Sequence, residues 1–145
     1  VTSPRPTPTP TPAPAAPRIS VSRTSGLNPA GATLTVTGSG FDPAIGIYVA
    51  VCTSAAPVSG SACVGGADLS GASGSSAWVS SDPPPYGVGL ATPFGAGGTF
   101  RVTITVPASQ GSLDCRTTTC GVITRADHTR YGERSQDTFV RITFA

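Results

Sequence analysis

A chain of 145 residues with a formal net charge of +2 at pH 7 fits one domain of ordinary size. Fifteen prolines and eighteen glycines take up nearly a quarter of it, while charged residues make up 11% and aromatic residues 6%. That balance excludes coiled coils and helical bundles. Thin, mixed charge lacks the footprint of a nucleic-acid binder, and no run approaches the roughly eighteen apolar residues of a membrane-spanning helix. All nine basic side chains are Arg, which points to a GC-rich coding sequence.

Residues 1–17 hold seven prolines, mostly in the alternation Thr7-Pro8-Thr9-Pro10-Thr11-Pro12. Every second amide lacks its hydrogen, so the segment cannot pair as a strand and favours polyproline II. At about 3.1 Å per residue it reaches on the order of 50 Å. The expectation is an arm: a linker, an O-glycosylated stalk, or a strap packed on a neighbouring copy against Trp78, Tyr86 and Phe94. A chain opening at Val1 is expected of a mature protein whose signal peptide is gone, or of a cut piece.

From Arg18 onward the period becomes two, the mark of half-buried strands. Ile19 and Val21 alternate with serines, Leu34 and Val36 with threonines. Residues 45–52 form a longer apolar run, short enough for a central strand covered on both faces. Trp78 to Ser80 reads as a short edge strand, followed by the alternation of Phe100, Val102, Ile104 and Val106. Residues 120–125 and 139–144 supply two more, the last with Val140, Ile142 and Phe144 inward. The predicted fold is all-β: a seven-stranded immunoglobulin-like β-sandwich over residues 18–145, behind the proline-rich arm of residues 1–17. Residues 63–98 are the least regular stretch, long enough to be functional.

Four cysteines in a small chain read as two disulfides in an oxidising compartment, hence a secreted protein. Zinc is disfavoured, because no C-x-x-C or His pair accompanies Cys52, Cys63, Cys115 and Cys120.

The chain resembles the neocarzinostatin family, small secreted actinobacterial apoproteins of immunoglobulin-like fold that carry enediyne chromophores. The likeness runs from Ile19-Ser20-Val21-Ser22 and Ser25-Gly26-Leu27 through Tyr48-Val49-Ala50-Val51-Cys52. It continues in Ser112-Leu113-Asp114-Cys115-Arg116-Thr117-Thr118-Thr119-Cys120 and ends at Val140-Arg141-Ile142-Thr143-Phe144. The resemblance implies the pairings Cys52 with Cys63 and Cys115 with Cys120, two local staples. It also implies a ligand cleft floored by the first disulfide and walled by aromatic side chains. Two departures bear on that cleft: Ser54 stands where the family has an aromatic residue, and the ribbon between Val106 and Cys115 is shortened. Trp78, Tyr86 and Phe94 are candidates to rebuild an apolar wall or to bind a partner. Residues 28–41 also resemble the opening hairpin of bacterial surface immunoglobulin-like repeats, used as spacers and adhesive modules.

Other constellations carry less. His128, the single histidine, is a candidate general base beside Asp127, or a metal or haem ligand together with Tyr131; a lone His in a charged loop is more often solvated or structural. No G-x-S-x-G elbow appears, and one Glu and six Asp are scattered without the spacing of a carboxylate pair. Five Arg between Arg116 and Arg141 are interleaved with Asp127, Glu133 and Asp137, which cancels most of a DNA-facing field. The leading expectation is an extracellular, non-catalytic module, secreted or at the cell surface, with a structural, adhesive or filament-assembly role. Its partners would be other protein subunits or cell-surface components, with no direct nucleic-acid contact. The alternative is a carrier of a small hydrophobic ligand in a cleft between the Cys52 to Cys63 loop and the Cys115 to Cys120 loop, with no cofactor beyond a non-covalent chromophore of that kind.

Overall fold

Alternation along residues 32–39 and 100–106 buries every second side chain, and those two segments pair with each other. The structure is a computed structural model that describes residues 16–53, 62–64, 74–130 and 132–145. Ten strands occur among the described residues: β1 (Arg18–Val21), β2 (Ala32–Ser39), β3 (Ile47–Cys52), β4 (Cys63–Val64), β5 (Ser76–Val79), β6 (Phe100–Val106), β7 (Ser109–Gln110), β8 (Leu113–Asp114), β9 (Cys120–Ala126) and β10 (Thr138–Ile142).

Strands β1, β2 and β6 make a three-stranded antiparallel sheet in that order. Leu34 lies opposite Ile104 and Val36 opposite Val102, so both strands point one apolar face the same way. The second sheet has the order β10, β9, β3, and the short strands β4 and β5 follow one another along the far edge of β3. Leu34, Val36, Ile104 and Val106 of the first sheet meet Ile47, Val49, Val51 and Val122 of the second in one fully buried cluster. Each such side chain contributes about 1.5–3 kcal/mol on burial.

The seven strands predicted from periodicity are β1, β2, β3, β5, β6, β9 and β10. The expected count of seven is corrected to ten because β4, β7 and β8 hold two residues each, too few for alternation to show. The last strand ends at Ile142 rather than Phe144; beyond it Phe144 forms an isolated bridge with Leu27. Disulfides join Cys52 to Cys63 between β3 and β4, and Cys115 to Cys120, the first residue of β9. Of the arm, only Ala16 and Pro17 are described; they line a groove with Phe41, Asp42 and Pro43. Thr7, Pro8, Thr9, Pro10, Thr11 and Pro12 lie outside the described residues, as do Ser54 and Tyr131.

Candidate functional site

Side chains alternate across a strand. With Ile47, Val49 and Val51 turned to the sandwich core, Tyr48, Ala50 and Cys52 face the other way. Register sets Ala50 beside Ile123 of β9 and places Tyr48 between Trp78 of β5 and Arg125 of β9. Tyr48, Ala50, Cys52, Cys63, Trp78 and Ile123 thus form a second apolar cluster on the outer face of the second sheet. Ala50, Cys52 and Ile123 have no exposed area, and Trp78 and Tyr48 keep only 4% and 7%. The outer face of an antiparallel sandwich sheet is commonly polar and wet; this one is covered and mostly apolar, with Arg125 as the charged side chain buried beside Tyr48.

The face ends in a polar-tipped aromatic group. A buried indole N–H needs an acceptor, and Trp78 Nε1 donates to Asp127 Oδ2 at 2.9 Å. The other oxygen of Asp127 accepts from the backbone N–H of Thr129 at 2.9 Å and from its hydroxyl. The Asp127 N–H in turn donates to the Gly46 carbonyl at 2.8 Å. Gly46 is glycine for a steric reason: a β-carbon there would run into the Asp127 carboxylate.

His128, in the 3-10 turn His128–Arg130, lies between two tyrosine rings. Its ring centroid lies 6.1 Å from that of Tyr48, 6.0 Å from that of Tyr86 and 5.5 Å from that of Trp78, and the two tyrosines meet it end-on through their hydroxyls. Its Nδ1 is hydrogen-bonded to the Tyr48 hydroxyl and its Nε2 to that of Tyr86. A neutral imidazole has one N–H and one lone pair, so one tyrosine donates to the ring and the other accepts from it; a protonated ring donates to both. Either state satisfies the chain of contacts. Both ring nitrogens are therefore engaged. His128 is not a base oriented by Asp127, whose carboxylate serves Trp78 and Thr129, and it has no spare nitrogen for a metal or haem. Among the described residues no three His, Cys, Asp or Glu side chains gather into a metal site.

Of the candidate wall residues, Trp78 and Tyr86 come together, with centroids 6.3 Å apart. Phe94 does not join them. It packs on Phe41 at 6.2 Å and Phe100 at 6.3 Å, against the sandwich core, where Ser81 Oγ holds its backbone N–H at 3.0 Å. The interleaved charges also pair: Arg116 with Asp114, and both Arg125 and Arg134 with Asp137. Sequence reasoning missed Tyr48. Its signal was a ring carrying a hydroxyl in an aliphatic run, on the face opposite Ile47 and Val49.

A model described as the Neocarzinostatin family matches residues 19–144. The chain belongs to the neocarzinostatin family. Among solved structures, macromomycin matches with a TM-score of 0.57 at 22% identity, over 90% of this chain and 100% of its own, a likeness of fold. No curated protein sequence matches. Before the second disulfide, β7 and β8 pair through two residues each, and Leu113 turns inward to the core. The first disulfide lies on the second apolar face, beside Ala50 and Ile123.

Proposed function

We propose that this protein is a secreted, non-catalytic carrier of a small, flat hydrophobic molecule held on the outer face of the second sheet. The observation that carries the reading is the burial of β3 and β9 on both faces. One face packs the sandwich; the other offers Tyr48, Ala50, Trp78, Ile123 and the Cys52–Cys63 disulfide, and the family resemblance implies a ligand cleft floored by that disulfide. A flat ligand there would be held by removal of apolar area, about 25 cal/mol per Å², and by stacking on Tyr48 and Trp78. Shielding from water would preserve a labile cargo. Two disulfides suit an oxidising compartment outside the cytoplasm.

This places the carrier role ahead of the structural or adhesive role expected first, which rested on arm residues outside those described. The test is extraction of protein from its native source into organic solvent. The expected result is a released compound absorbing in the near ultraviolet or visible, with recovery of the emission of Trp78, the single tryptophan. Native protein that yields no small molecule and takes up no flat hydrophobic dye would overturn the reading.

A further inference from the structure

The apolar face is covered, so a ligand reaches it only if part of the cover moves. Among the described residues, the aromatic end is covered by residues 81–91, whose Gly87 lies so close against the Trp78 ring that a β-carbon would collide with it. The loop is closed at its base by backbone hydrogen bonds of 2.8 and 2.9 Å between Ser80, Thr92 and Trp78. Within it, bonds run only locally: Gly87 to Pro84, Val88 to Pro85, and Leu90 and Ala91 to Gly87. For residues 82–91, the Tyr86 hydroxyl on His128 Nε2 is the one hydrogen bond to the rest of the described molecule. The tip has little packing of its own, since Tyr86, Val88 and Leu90 are 60%, 72% and 47% exposed.

A segment with a two-point hinge, few buried contacts and, beyond the Ser81 hydroxyl at its base, one side-chain tie is what opens first in a folded protein. Opposite it, the His128 turn is anchored: Asp127 binds Gly46, Thr129 binds Asp127, and Arg130 N–H reaches the Asp127 carbonyl at 3.0 Å.

We infer that residues 81–91 are a flap hinged at Ser80 and Thr92, latched by Tyr86 on His128, whose opening uncovers Trp78 and so sets the rate of ligand exchange. The flap is a property of the protein alone; its role in exchange rests on the carrier reading. Tyr86→Phe keeps the ring beside Trp78 and removes the latch. The net worth of one such hydrogen bond corresponds to about a fivefold rise in the open population.

The experiment is acrylamide quenching of Trp78 fluorescence in the full chain, for the unaltered protein, Tyr86→Phe and Tyr86→Ala, beside urea unfolding of each. Quenching that rises several-fold in both variants while the unfolding midpoint holds is the expected result. Quenching unchanged in both folded variants overturns the flap. Binding of 8-anilino-1-naphthalenesulfonate, followed by stopped flow, then separates the two readings. Faster dye exchange in Tyr86→Phe supports both. Raised quenching with no dye bound to any form leaves the flap standing and counts against the carrier. Dye that binds but exchanges at one rate in all forms overturns the flap's role in exchange.

Discussion

Trp78 Nε1 donates to Asp127 Oδ2 over 2.9 Å, and through that bond the edge strand β5 is held to the turn that follows β9. Both groups are buried, so neither can turn to water if the other is lost. Asp127→Ala leaves an indole N–H and two Thr129 donors without their acceptor, and is expected to cost about 2–4 kcal/mol. Gly46→Ala, which forces the same carboxylate aside, should cost about 1–3 kcal/mol. Urea unfolding followed by Trp78 emission measures both; variants as stable as the parent would contradict the arrangement.

Phe94 and Tyr86 were indistinguishable as candidate wall residues, yet they should separate on truncation. Phe94→Ala removes a ring packed on Phe41 and Phe100 and is expected to lower stability by about 2–3 kcal/mol without raising acrylamide access to Trp78. Tyr86→Ala, at an exposed position, should do the reverse. Calorimetry and quenching on the two variants decide this directly.

The two disulfides close loops of different length. In the chain-entropy description, replacing Cys52 and Cys63 by Ser costs about 3 kcal/mol, and replacing Cys115 and Cys120 about 2 kcal/mol. The first pair also lies on the proposed ligand face, so its removal should weaken dye binding beyond the loss of stability, whereas the second should not. Equal effects on dye binding would argue against the placement of the ligand.

Asp114 is held below the ordinary carboxylate range, chiefly by the side-chain hydrogen bond from Arg116. Glu133 is lowered in the same sense by the Ser135 hydroxyl and N–H. A carboxyl whose folded value is depressed contributes stability above its unfolded value and loses it as pH falls through the folded one. Both groups are half-buried and open to solvent screening, so the contribution is small. Carbon-detected NMR titration should place the Asp114 midpoint below that of an unfolded-chain Asp, and Arg116→Ala should return it to the ordinary range. A midpoint unmoved by that substitution would show that Arg116 is not the cause.

How much of this molecule could be read from its sequence differs between the sandwich and the site. The alternation of Leu34 and Val36 with threonines, and of Val102 and Ile104 with Arg101, Thr103 and Thr105, announces a buried face, because neighbouring side chains in a strand point to opposite sides whatever lies around them. The apolar run of residues 45–52 likewise announces a strand with two covered faces. Those are local properties, and the sequence by itself determined them, together with the family likeness carried by segments such as Asp114 to Cys120. Which side chains meet on the second face was decided only by tertiary structure. Tyr48, Trp78, Tyr86 and His128 come from four separate segments and touch because β5 and β9 flank β3 in one register, and nothing in the spacing of those residues encodes that pairing. Phe94 shows the same limit from the other direction: an aromatic residue in an irregular loop is free to join either cluster, and packing on Phe41 and Phe100 sends it to the core.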